Sequence, residues 1–581
     1  MFVCQMSTRP LGIVIAEICA VKITGTPLEN PPDRGSPDRL GTVKISTRRS
    51  NPRLAKPVQR AYGGGMATVR SAKRPRILIV TPEITYLPSG MGNMAERMSA
   101  KAGGLADVSA SLVSALFDLG ADVHIALPNY RRMFHMDIFQ LHEKELRKYH
   151  QKLPEDHIHL AEDRIFYYRD QVYSGYEEDS VKVALTFQRE VINHVVPRVN
   201  PDLIHCNDWM TGLIPAMARR RGIKSLFTVH NIHTQRVSLN QVEDRGIDSA
   251  EFWMNLYFDR APASYEDARD NIKVDLLTSG IFASHYINTV SPRFLWEINN
   301  GWHSVVPDSV RRELGEKTNA GCAMGILNAP DPSYDPETDE LIVKTYTAAD
   351  HREGKRANKL VLQRELGLIE DPDAPILFWP SRLDPVQKGP QLLTDILYRL
   401  VSDYWDRKLQ VVVIASGPHQ RHFNDIVHHH HLMERVAVRK FDERLSRIGY
   451  AASDFMLMPS LFEPCGLPQM ISPIYGSLPI VHGTGGLYDT VQHMNWEGGQ
   501  GNGFRFDVYG AQGLRWAIDE AMRFHGRAPE FREREITRVM QQSRQQFNHE
   551  AVAQQYVKIY EDMLARPLVH RKADEVLSAQ S

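Results

Sequence analysis

From Arg76 to His482 the chain keeps returning to one pattern: a short apolar run, a polar or Gly/Pro-rich break, then a helix-period stretch. The runs cover residues 76–83, 121–128, 202–209, 225–231 and 286–292, and then 375–383, 409–415, 436–438, 455–458 and 478–482. Most are apolar at successive positions rather than alternating, so both faces of each strand must be covered, as in a parallel sheet with helices on each side. The intervening segments supply those helices: Leu105, Val108, Leu112, Leu116 and Leu119 recur at helical spacing. A Pro- and Asp-rich stretch, 332–339, separates the two groups of strands. The pattern predicts an α/β chain of two Rossmann-like, doubly wound domains. The expected division is 75–324 and 325–545, followed by a helix over 546–566 with Val552, Tyr556, Ile559, Tyr560 and Met563 on one face, and a tail, 567–581.

In such sheets a ligand binds in the crevice beyond the carboxyl ends of the strands. Several runs end in polar residues that would meet there: Asp208 after 202–207, His230 and Asn231 after 225–229, and Ser291 after 286–290. The run 455–458 stops at Pro459 and leads to a turn, Phe462, Glu463, Pro464, Cys465, Gly466 and Leu467, whose backbone N–H groups at Gly466 and Leu467 would face a ligand. Gly103 and Gly104 open a helix and allow close backbone approach. They do not form G-x-G-x-x-G, which argues against a dinucleotide site. One strand-end histidine is usually a satisfied structural residue, whereas several polar strand ends in register with Lys101 point to a site. The run His428 to His431 reads as a solvated helix face, because consecutive helical residues point in different directions.

With 581 residues the chain is too long for one core, and a net charge of −1 gives no reason to expect a nucleic-acid partner. The five cysteines have no metal-binding spacing and read as reduced thiols of a cytoplasmic protein. No apolar run approaches the roughly 20 residues needed to span a bilayer. Residues 1–74 differ from the rest, being rich in Pro, Gly, Ser and Arg without amphipathic period, and are expected to be a disordered extension. A signal sequence (weakened by Glu17 in its apolar run), an organelle transit leader and a start at Met66 are the three readings of this stretch, the last preferred.

Taken together, several segments resemble the bacterial glycogen synthases and plant starch synthases, retaining glucosyltransferases of the GT-B fold. K-A-G-G-L-A-D-V at 101–108 is similar to the family's K-x-G-G-L-x-D-V, and H-C-N-D-W-M-T-G-L at 205–213, T-V-H-N at 228–231 and T-V-S-P at 289–292 also resemble its motifs. In the second group, G-I-L-N-A-P-D at 325–331, S-R-L-D-P-V-Q-K-G at 381–389, F-E-P-C-G-L-P-Q at 462–469 and G-T-G-G-L-Y-D-T at 483–490 follow in family order. The resemblance implies transfer of glucose from ADP-glucose to the 4-hydroxyl of an α-1,4-glucan, with retention and without a bound metal or other cofactor. It implies that Glu463, His230, Arg382 and Lys388 form the catalytic set. Arg382 and Lys388 are suited to the departing diphosphate, since Arg forks onto phosphate and Lys acts as a point charge. Lys101, Gly103, Gly104, Asp107, Asp208, Asn231, Asn328, Cys465, Gly466, Leu467, Thr484, Gly485 and Gly486 resemble donor-binding positions. The terminal helix resembles a segment that crosses back onto the first domain, so that hinge closure assembles the site.

The chain departs from the family pattern at Asn207 (usually His), Thr278 (usually Lys), Leu461 (usually Arg) and Pro468 (usually Thr). The loop between Glu83 and Lys101 is longer than usual, and the spacing from Arg382 to Lys388 is one residue longer. These changes bear on nucleotide preference and sugar contacts. A UDP-glucose enzyme, an enzyme with a non-glucan acceptor and a catalytically weak glucan-binding relative are the alternatives. Neither nucleic acid nor membrane is expected as a partner.

Overall fold

The computed structural model describes residues 74–92, 95, 98–135 and 157–569. The expected extension over 1–74, apart from Arg74, and the tail beyond residue 569 lie outside the described residues. Fifteen strands are present among them. In chain order they are β1 Arg76–Val80, β2 Asp122–Pro128, β3 Ile158–Ala161, β4 Leu203–Asn207, β5 Lys224–Val229, β6 Arg236–Ser238, β7 Lys273–Asp275, β8 Tyr286–Thr289, β9 Ala323–Gly325, β10 Ile376–Trp379, β11 Gln410–Ile414, β12 Val436–Arg439, β13 Phe455–Met458, β14 Leu478–His482 and β15 Phe504–Phe506. The first half holds a seven-stranded sheet ordered β3-β2-β1-β4-β5-β8-β9, with β6 and β7 as a separate antiparallel ribbon. The second half holds a six-stranded sheet ordered β12-β11-β10-β13-β14-β15. Both large sheets are parallel throughout. Counting only its own strands, each sheet runs 3-2-1-4-5-6, the doubly wound order, and the first adds a seventh strand at its edge.

Side-chain alternation shows why the strands read as unbroken apolar runs. In the second sheet Leu377, Trp379, Val411, Val413, Phe455 and Leu457 enter one core, while Ile376, Phe378, Val412, Ile414, Met456 and Met458 enter another on the opposite face. Both faces are buried, so neither set can be polar. The first sheet has its own core, which also takes in Ala553, Tyr556, Val557, Ile559 and Tyr560 from the terminal helix His549–Leu564. The last helix therefore packs on the first sheet although it follows the second in sequence. The short edge strands β3, β9 and β15 gave no sequence signal, having three or four residues each. The four-histidine run ends the helix Gln420–His429; three of its members are exposed and the His430 ring stacks on Tyr398 with centroids 3.9 Å apart.

Candidate active site

Each sheet reverses its order of construction at one point, between β1 and β4 in the first half and between β10 and β13 in the second. The loops leaving these strands diverge and open a crevice. At the end of β1, Glu83 turns back on the Lys101 loop. Its Oε2 accepts the N–H groups of Ala102 and Gly103 at 2.7 and 3.0 Å, and its Oε1 accepts the Tyr173 hydroxyl at 3.1 Å. Burial raises the Glu83 pKa, against these three donors. The loop leads into the helix Gly104–Asp118, whose N-terminus has no side-chain cap. Lys101 is exposed, with Nζ 3.0 Å from the carboxylate of Asp107, which also accepts the Thr85 hydroxyl at 2.7 Å.

After β4, Asp208 adopts φ 56°, a strained value for a non-glycine residue. Its carboxylate accepts the His230 backbone N–H at 2.7 Å and the Asn231 Nδ2–H at 2.9 Å. Burial pushes the Asp208 carboxyl up to about 7, although both donors favour the ionised form. Asn207, where the family usually has His, donates from Nδ2 to the Val80 carbonyl at 3.0 Å, so its Oδ1 faces His230 Nε2 at 2.9 Å. The His230 proton therefore sits on Nε2, leaving Nδ1 as a lone pair. Desolvation holds this imidazole down at about 3, so it is neutral at pH 7.

In the second half the segment after β10 carries Arg382, exposed and without a partner among the described residues. Asp384 Oδ1 then accepts the N–H groups of Val386 and Gln387 at 2.9 and 3.3 Å, an Asx-type turn that ends at Gly389. Gly389 has φ +69° and lies so close to β13's exit that a Cβ would stand 2.4 Å from the Pro459 carbonyl oxygen. That approach sets Lys388 beside Glu463: Nζ and Oε2 are 2.5 Å apart, and the Ser460 hydroxyl donates to the same oxygen at 3.1 Å. Both members of the pair are buried. Beyond them Cys465 Sγ accepts the Asn328 N–H at 3.4 Å, burial pushing this thiol up to about 12, and the buried Asn328 Oδ1 has no partner among the described residues. Gly466 turns the chain at φ +76°. Among the described residues the N–H groups of Gly466 and Leu467 have no acceptor. Pro468, replacing the usual Thr, begins the helix Pro468–Ile474 and has no N–H to offer.

The two halves meet here, since a Cβ on Gly104 would lie 3.6 Å from Leu467 Cδ1. The structure thus joins Lys101 to Asp107, Asp208 to His230 and Asn231, Asn328 to Cys465, and Lys388 to Glu463. Thr484, Gly485 and Gly486 stand differently, because their donors are already taken. The Thr484 hydroxyl and the Gly485 N–H go to the Glu297 carboxylate, and the Gly486 N–H goes to the Glu463 carbonyl at 3.0 Å. Thr278, in place of the usual Lys, is buried and bonded to Ser309 at 3.2 Å. Glu83, Tyr173, Ser460 and Glu297 were not among the residues singled out from sequence. Glu83 and Ser460 follow strands and obey the rule that found Asp208, whereas Tyr173 and Glu297 have no local signal. A separate polar cluster, Asp122, His124, His157 and His159, sits toward the other end of β2, where His124 bonds to Asp122 through Nε2 and to His159 through Nδ1, and His157 bonds to the Val123 carbonyl.

A family model described as the starch synthase catalytic domain matches residues 76–306. A glycogen synthase of Exiguobacterium sibiricum is 35% identical over 462 residues, covering 74% of this chain and 90% of that protein. A glycogen synthase of Moorella thermoacetica is 33% identical over 480 residues, covering 78% and 90%. Among solved structures, the catalytic domain of starch synthase IV from Arabidopsis thaliana bound to ADP and acarbose superposes with a TM-score of 0.67 at 26% identity, covering 85% of this chain and all of that one, 100%.

Proposed function

This chain belongs to the family of glycogen and starch synthases, glucosyltransferases of the GT-B fold that join a nucleotide-sugar donor to a glucan acceptor, and from that premise we propose that it transfers glucose from ADP-glucose to the non-reducing 4-hydroxyl of an α-1,4-glucan with retention of configuration. The observation that carries the reading is the buried Lys388–Glu463 pair, whose Lys388 lies on the same strand-end segment as the exposed Arg382, which has no partner among the described residues. A departing diphosphate gathers negative charge, and preorganised cations at its position lower the barrier. Arg382 and Lys388 are assigned that task, with the open N–H groups of Gly466 and Leu467 adding dipoles. Lys101 and the uncapped helix N-terminus at Gly104 approach from the other half.

Glu463 is held by Lys388 and Ser460, which supports a positioning role toward the donor sugar rather than that of a free nucleophile. Among the described residues its side-chain partners are Lys388 and Ser460 and not a second carboxylate, which does not favour a double displacement. The step proposed is therefore front-face. The bond from the anomeric carbon to the phosphate oxygen breaks, its electron pair leaving with the diphosphate, and the acceptor 4-oxygen bonds from the same face. The acceptor proton passes to the departing phosphate oxygen, giving ADP and a glucan longer by one glucose. Neutral His230, with its Nε2–H fixed on Asn207, and Asp208 with Asn231 are assigned to the sugar's side of the crevice. ADP in the plant relative's structure supports an adenine nucleotide as donor. The test is incorporation from labelled ADP-glucose and UDP-glucose into glycogen by the full chain. Faster incorporation from ADP-glucose is expected; incorporation from UDP-glucose alone would overturn the donor assignment.

A further inference from the structure

The helix Pro292–Asn299 of the first half and the short helix Gly485–Thr490 of the second cap each other. The carboxylate of Asp489 accepts the Ser291 hydroxyl at 2.6 Å and the Arg293 N–H at 2.9 Å, at the start of the first helix. In return the Glu297 carboxylate accepts the Gly485 N–H at 3.0 and 3.1 Å and the Thr484 hydroxyl at 3.1 Å, at the start of the second. Glu297 is 1% exposed, and its own half grips it through Arg293 Nε at 2.9 Å and His303 Nε2 at 2.8 Å. A buried carboxylate with this many donors is expensive to disturb.

The turn that Glu297 holds reaches the reacting region through the backbone. Gly485, at φ +45°, lies so close that a Cβ would be 2.0 Å from the Glu463 carbonyl oxygen, and a Cβ on Gly486 would be 2.1 Å from that of Cys465. The Gly486 N–H donates to the Glu463 carbonyl at 3.0 Å. His303, the other partner of Glu297, sets its ring 6.0 Å from that of Phe462. Movement of the Thr484–Gly485 turn therefore moves Glu463.

We propose that Glu297 is a positioning residue for glucosyl transfer: it latches the Thr484–Gly485 turn to the first half and so fixes Glu463 against groups on the opposite wall. Thr484, Gly485 and Gly486 then act through the backbone of Glu463 rather than by touching the diphosphate. The inference rests on the assignment of Glu463 to the donor sugar, and the test separates the two. Turnover is measured for the full chain, for Glu297→Gln and Glu463→Ala, and for the two combined, with thermal unfolding and ADP affinity as checks on folding. A misplacement of about 1 Å costs on the order of 100-fold, so Glu297→Gln is expected to lower kcat by about 10- to 100-fold in the parent and by less than about threefold when Glu463 is already Ala. Equal fold-losses in both backgrounds, or an unchanged kcat in Glu297→Gln, overturn the latch. A normal kcat in Glu463→Ala alone overturns instead the assignment on which it rests. Should Glu297→Gln fail to fold, Thr484→Val removes one contact from the other side and is read in the same cycle.

Discussion

At the scale of residues, the acidity of Asp208 stands far from that of its free form. Its carboxyl, pushed up to about 7 by burial, accepts two N–H donors only when ionised. Protonation puts an O–H where an acceptor is needed, so kcat/KM should rise with pH through about 7 and level off above about pH 8, with Asp208→Asn losing that acid limb; a pH–rate profile of both proteins checks it. His230, held down at about 3, contributes no inflection in that range. Glu463→Ala should lower turnover by more than about tenfold, or about 1.4 kcal/mol in the barrier, with ADP still bound because Arg382 and the Leu467 turn remain. A steady-state comparison with an ADP binding isotherm would show it. At this scale the sequence was informative where a polar residue ends a strand, as at Asp208, His230 and Glu463. It was silent on Glu297 and Tyr173, since each meets the site through a contact distant in sequence.

At the scale of elements, the ten apolar runs became strands because each is buried on both faces, which makes hydrophobic continuity a sufficient signal. Their ends were placed less well: the runs read as 76–83 and 202–209 contain the strands Arg76–Val80 and Leu203–Asn207, the residues that follow each strand being turns at the crevice. The T-G-G-L-x-D-T segment was legible as a motif but not as a cap, because its donors and its Asp489 are satisfied by a helix from the other half. Backbone contact at its centre yields a sharp expectation. Gly485→Ala forces a Cβ to within 2.0 Å of the Glu463 carbonyl from a positive φ, and should reduce both the unfolding temperature and turnover, measured by thermal denaturation and initial rates. The terminal helix is fastened by a chain of buried bonds. The Tyr560 hydroxyl donates to His205 Nδ1 at 2.8 Å, His205 Nε2 to Thr228 Oγ1 at 2.6 Å, Thr228 Oγ1 to Asn288 Oδ1 at 2.6 Å, and Asn288 Nδ2 to the Tyr556 hydroxyl at 2.9 Å. Tyr560→Phe leaves the His205 nitrogen unsatisfied and should cost about 1–3 kcal/mol of stability, read from denaturant unfolding.

For the molecule as a whole, the same strand order built twice gives two switch-point crevices, and the proposed function rests on their facing one another. In the proposed reaction the first supplies Lys101, Asp208, His230 and Asn231, and the second supplies Arg382, Lys388 and Glu463. No helix among the described residues is long and apolar enough to cross a membrane. Repetition of the βα pattern made this architecture readable, while the closeness of the two walls, seen in Gly104 against Leu467, depends on packing between segments hundreds of residues apart and has no counterpart in local sequence. The bond that the assembled site makes is the most direct readout of the proposed transfer. The full chain should be given maltoheptaose and ADP-glucose labelled with carbon-13 at the anomeric carbon, and the product followed by NMR. The label is predicted to appear at the non-reducing end in an α-1,4 linkage. Its appearance in a β linkage or as free glucose, or its absence from the oligosaccharide, would contradict the account.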